Sequence, residues 1–97
     1  MPQLSEQHIS EQARRWRPES AFAQLEAEGE DPDAIVHNAV HRINGADDPM
    51  QALVQLHEEA AALFRYRDHN TVIGTMSRVL SATVFACEAA LKESKVI

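Results

Sequence analysis

Apolar side chains recur every three to four residues along most of the chain, which is the spacing of one face of an α-helix. No segment alternates apolar and polar residues over several positions, as a half-buried strand would. The pattern therefore predicts helices throughout, with these approximate bounds: Ser5 to Trp16, Glu19 to Glu28, Pro32 to Asn44, Pro49 to Arg67 and Thr71 to Ser94.

Local sequence signals mark where these helices begin and end. The stretches "EDPD" and "DDPM" each place Asp before Pro, which is the preferred N-cap and first-turn pair. Gly29 and Gly45 are expected to end helices in the left-handed conformation. The last two helices are each about 30 Å long, and a link of about four residues makes them antiparallel. We predict an all-α fold in one domain, residues 1–97: a small bundle of four to five helices with a long antiparallel C-terminal helical hairpin.

The angular positions of the side chains indicate which helix faces are buried. The third helix has a compact apolar arc that leaves His37 and His41 outside it. The fifth helix is apolar over about half its circumference, so we expect it to be central. Its polar stripe consists of Ser77, Arg78, Ser81, Glu88 and Lys92. Phe85 falls within this stripe, where it is exposed, covered by the N-terminal helices or part of a subunit interface. The fourth helix has His57 near the middle of an apolar arc that we expect to be buried: Met50, Leu53, Val54, Leu56, Ala60, Ala61, Leu63 and Phe64.

Charge is distributed unevenly along the chain. The net charge is −6, but residues 26–60 contain nine acids and one base, a balance of −8. This excess disfavours general nucleic-acid binding, which requires positive charge against phosphates. The stretch "EAEGEDPD" is either a docking surface for a basic partner or a solvated loop whose acids favour the start of the third helix. The basic-aromatic stretch "RRWR" is assigned to packing by Trp16, with the arginines on the other faces.

Few residues suggest chemistry. His37 and His41 have the i, i+4 spacing of a metal-binding pair, but "HNAVH" lacks the glutamate of a metalloprotease, and no "ExxH" pairs occur. Cys87 lies on the apolar side of its helix and is expected to be inert. We therefore predict no catalytic residues, no cofactor and no metal. One cysteine, no visible leader and no long apolar run favour a cytoplasmic protein that is not membrane-bound.

A small acidic bundle without catalytic groups favours a non-enzymatic protein–protein interaction role, as an adaptor, a subunit or an inhibitor of a larger assembly. The expected partner is another protein, including a second copy through the fourth or fifth helix. Two alternatives stay open: an acidic inhibitor that mimics nucleic acid, of the phage or mobile-element type, and a metal-binding helical protein using His37 and His41. The candidate partner-binding residues are Glu28, Glu30, Asp31, Asp33, His37, His41 and Phe85.

Overall fold

A computed structural model describes residues 4–15 and 19–94. Within these ranges the chain is all-α and contains no strand, as predicted. Trp16, the predicted end of the first helix, lies outside the described residues. The fourth helix ends two residues earlier than predicted, because Tyr66 begins a turn that continues to His69. The five helices are α1 (Glu6–Arg15), α2 (Glu19–Ala27), α3 (Pro32–Asn44), α4 (Pro49–Arg65) and α5 (Thr71–Ser94).

Side-chain caps define the starts of the three longest helices. Asp31 and Asp48 accept a hydrogen bond from the backbone amide two residues later, at 3.0 and 3.1 Å. Asn70 does the same for α5, at 2.9 Å. Each cap satisfies a backbone donor that has no partner inside the helix. The start of each of these helices therefore depends on a residue that immediately precedes it.

The three glycines have different structural roles. Gly29 has a φ of 88°, so the predicted left-handed turn after α2 is confirmed. The same prediction for Gly45 is wrong, because its φ is −90° and its amide simply continues the turn by donating to His41 at 3.0 Å. A Cβ on Gly74 would stand 3.0 Å from the Cβ of Arg67, so this glycine allows α5 to approach the end of α4 closely.

The core surrounds α5, which contacts each of the other four helices. Val79, Val84 and Cys87 are fully buried there. Ser77, which was predicted to lie on the polar stripe, is also buried, because helices pack on several sides of α5. Thr83 satisfies its buried hydroxyl by donating to the carbonyl oxygen of Val79 at 2.8 Å. The polar side chains of this helix are therefore not a reliable guide to its exposed face.

Length and composition alone would allow α5 to cross a membrane. The core helix of a globular bundle passes the same test, and 56% of the apolar segment is buried against the rest of the chain.

Polar contacts attach α1 to α3. The amide of Leu4 donates to Asn44 Oδ1 at 2.8 Å, and Asn44 Nδ2 donates to the carbonyl oxygen of Leu4 at 3.0 Å. Near the other end of α1, Arg14 donates to the carboxylate of Asp33 at 3.1 Å. By contrast, α4 contacts only α3 and α5 among the described helices, so one side of it is uncovered.

Candidate functional site

The uncovered side of α4 carries a row of apolar side chains, which we call the α4 ridge. Met50 and Val54 are 52% and 53% exposed, and Phe64 is 45% exposed. The row repeats at intervals of three and four residues, so its members share one helix face. The prediction that this part of the apolar arc is buried is wrong, since only α3 and α5 cover α4. The α4 ridge consists of Met50, Val54, His57, Ala61 and Phe64.

His57 lies in the middle of the ridge, at its border with α5. Its Nε2 is 3.3 Å from Glu88 Oε1, and Lys92 Nζ is 3.0 Å from Glu88 Oε2. Hydrogen bonds from Lys92 and, to a smaller extent, from His57 lower the pKa of Glu88. The sequence placed His57 near the middle of an apolar arc expected to be buried, whereas it is half-buried beside the carboxylate of Glu88.

Phe85 extends the apolar surface from α4 onto α5. Its ring meets that of His57 edge to face, with centroids 5.4 Å apart, and it is 44% exposed. It also lines a small pocket between α5 and α1 that includes His8 and Gln12. Phe85 is therefore partly exposed and partly packed, a combination of the alternatives that the sequence left open.

The four acids proposed as partner-binding residues have different environments. Asp31 caps α3, and Asp33 accepts hydrogen bonds from Ser10 and Arg14, each at 3.1 Å. Glu30 is exposed on the loop. Glu28 is half-buried, with one carboxylate oxygen that receives no hydrogen bond from the described residues. Two of the four thus have structural roles that explain their presence without a partner.

His37 and His41 lie on the exposed side of α3, as their angular positions predicted. Their rings are stacked, with centroids 5.8 Å apart and planes 13° from parallel, and His37 Nδ1 is 2.6 Å from Glu6 Oε1. The described residues contain no group of three His, Cys, Asp or Glu side chains that could hold a metal ion. In this geometry His37 joins α3 to α1 through Glu6, and His41 stacks on His37.

Among the described residues, the remaining candidates for chemistry are Cys87 and three surface pockets. Burial raises the pKa of the Cys87 thiol to about 12, so it stays protonated at neutral pH and is a poor nucleophile. Three surface pockets formed by described residues have volumes of about 150, 170 and 250 Å³. These are smaller than the roughly 300–1,000 Å³ of ordinary small-molecule sites. The α4 ridge is therefore the candidate functional feature that these residues support best.

The width of the apolar arc of α4 is the sequence pattern that could have indicated the ridge. The apolar arc of α4 includes two adjacent rows, and only one is in the core: Leu53, Leu56 and Ala60 are buried. A helix that packs on one side needs an arc of about 100°, and the wider arc of α4 indicates a second contact. The ridge and Phe85 form one continuous surface through His57, whereas His37, His41 and Asp33 belong to the seam between α1 and α3.

In comparisons with known proteins, no protein-family model, curated protein sequence or solved structure matched the chain. Any functional conclusion therefore depends on the residues themselves and on their geometry.

Proposed function

We propose that the protein is a non-enzymatic protein-interaction module that works as a homodimer, with the α4 ridge buried between the two copies. The observation that carries this proposal is the row of half-exposed apolar side chains on α4, continued by Phe85 on α5. The largest apolar patch on the surface of a protein is often functional, and a protein contact is one of its common uses. A specific dimer would remove this surface from water.

The area of the patch is suitable for a small dimer interface. A large aromatic side chain buries about 150–250 Å² in full, so each half-exposed Phe offers about 100 Å². Met50 and Val54 add somewhat less each, and the total is roughly 350 Å² of apolar surface. A standard interface buries about 800 Å² per partner, of which a little over half is apolar. The patch therefore supplies most of the apolar area that such an interface requires.

We also propose that α4 and α5 form one long antiparallel hairpin, which presents the ridge on a rigid support. Two contacts support this arrangement. The Cα of Gly74 lies close to the side chain of Arg67 beside the link, and His57 is bonded to Glu88 much farther along both helices. A rigid helical support lowers the conformational entropy that association costs.

A charged substitution on the ridge tests the proposed function. We expect Val54→Asp to weaken dimerisation at least tenfold. Burying an unpaired carboxylate between two apolar ridges costs more than about 1.4 kcal/mol of binding free energy. Sedimentation equilibrium over a range of protein concentrations measures the dissociation constant. Gln55→Asp adds the same charge at the next residue, which is exposed and outside the ridge, and it should leave dimerisation nearly unchanged.

Circular dichroism of both variants checks that the helices are retained, since Val54 is already half-exposed in a single copy. If the unsubstituted chain sediments as a monomer at every concentration, the proposed function is wrong. It is also wrong if Val54→Asp and Gln55→Asp dimerise equally well.

A further inference from the structure

We infer that the two copies pack their α4 helices antiparallel, about a two-fold axis that passes beside His57. This inference rests on the proposed function, because it specifies how a second copy occupies the α4 ridge. It is carried by three features of the described residues: the spacing of the ridge, the sizes of its side chains and the charges at the two ends of α4. A two-fold dimer uses the same patch on both copies, so the patch must be complementary to itself.

The spacing of the ridge is nearly the same in both directions. Its members lie seven and three residues before His57, and four and seven residues after it. When such a row is reversed about His57, its apolar positions meet apolar positions of the second copy. Two packed helices exchange side chains at intervals of three and four residues. The ridge therefore fits its own reversed copy along its full length of about four helical turns.

The sizes of the side chains favour the same arrangement. Reversal about His57 places Met50 opposite Phe64 of the second copy, and a thioether against an aromatic ring is a favourable contact. It also places Val54 within one residue of the small side chain of Ala61 of the second copy, so a larger side chain faces a smaller one. In a parallel arrangement each residue would meet its own copy, so two Ala61 residues would leave a gap between larger neighbours. Gaps of that kind lose contact energy.

Charges distinguish the two directions most clearly. Asp47 and Asp48 immediately precede α4, whereas Arg65 and Arg67 lie at its other end. Asp68 is 4.0 Å from Arg67 and reduces that charge only in part. An antiparallel pair brings the acidic end of each helix to the basic end of the other. A parallel pair would bring like charges together at both ends, which disfavours it.

Site-directed crosslinking tests the orientation. In the antiparallel dimer, His57→Cys should crosslink to itself through a bifunctional maleimide that reaches about 10 Å, the separation of packed helices. A mixture of Met50→Cys and Phe64→Cys chains should crosslink, whereas each of them alone should not. Two copies of position 50 would be about 21 Å apart along the axis, at 1.5 Å per residue over fourteen residues. The buried thiol of Cys87 makes the unsubstituted chain a silent control.

The result that overturns the inference is a dimer in which Met50→Cys crosslinks to itself, because that requires parallel helices. A dimer in which neither His57→Cys nor the Met50→Cys and Phe64→Cys mixture crosslinks also overturns it. If Phe64→Cys weakens the dimer, a mixture of Val54→Cys and Ala61→Cys is used instead, because these substitutions change the side-chain volume less. These outcomes leave the proposed function intact, whereas a monomeric unsubstituted chain contradicts the proposed function itself.

Discussion

Asp31 and Asp33 are close in sequence and both were expected to contact a partner, yet their side chains have different roles inside the chain. Asp31 caps α3 through the backbone amide of Asp33, and the carboxylate of Asp33 bonds to Ser10 and Arg14 on α1. The Asp–Pro order in "EDPD" predicts that Asp31 caps α3, and the structure agrees. Nothing in the sequence indicates that Asp33 contacts α1, because that contact depends on how the two helices pack.

The cap can be tested apart from the charge. We expect Asp31→Ala to lower the free energy of unfolding by about 1 kcal/mol, because it removes the acceptor for an N-terminal amide of α3. Asp31→Asn keeps an acceptor and should cost only a few tenths of that energy. Urea denaturation of the two variants measures the difference. Equal destabilisation by both would mean that the negative charge, and not the hydrogen bond, is what α3 requires at this position.

At the scale of single helices, α4 shows how one element can serve two contacts. Its buried row packs on α3 and α5, while its other apolar row forms the ridge. An ion pair between side chains also joins α4 to α3: both guanidinium nitrogens of Arg42 donate to the carboxylate of Glu59, at 2.8 and 2.6 Å. These hydrogen bonds lower the pKa of Glu59 and raise that of Arg42. On the ridge side, His57 contacts Glu88 of α5 at 3.3 Å, while Met50, Val54 and Phe64 stay about half-exposed.

Glu59→Gln should destabilise the protein by less than about 1 kcal/mol at pH 7, because both partners are partly exposed and water screens their attraction. The pKa of Glu59 is lower in the folded chain than its ordinary value of 4.5. Its contribution is therefore fully present above that value and is lost as the pH falls through the lowered folded pKa. Denaturation at several pH values should show that the free energies of unfolding of Glu59→Gln and of the unsubstituted chain become equal in acid. Glu58→Gln, one residue away and outside this ion pair, is the matched control for the loss of one carboxylate.

The whole molecule is organised around α5, and α4 has no contact with α1 or α2 within the described residues. Each of the other four helices packs on α5, so none of them keeps its full packing once that helix unfolds. The core therefore consists of one cluster that includes residues from all five helices. Such an arrangement favours a single cooperative unfolding transition.

Calorimetry at several protein concentrations tests this organisation together with the proposed dimer. We expect one thermal transition, with an enthalpy near 70 kcal/mol per chain, as is usual for about 100 residues. Its midpoint should rise with protein concentration, because association stabilises only the folded chain. In Val54→Asp the midpoint should be independent of concentration. Two separate transitions in the unsubstituted chain would show that the helices do not share one cooperative core.

The sequence alone determined the all-α fold class, the starts of α2, α3, α4 and α5, and the ends of α3 and α5. Those features depend on residues within one or two turns of each other: the three-to-four periodicity, the Asp–Pro starts and the turn at Gly29. The bounds predicted for α3 and α5 agree with the structure.

Only the tertiary structure decided which apolar and polar side chains are covered, because burial depends on which helices come together and not on local spacing. It placed Ser77 in the core and left Met50, Val54 and Phe64 partly exposed, contrary to prediction. It also separated the seam at His37 and Asp33 from the ridge at His57. A helical pattern defines a face, but only its neighbours determine whether that face is core or surface.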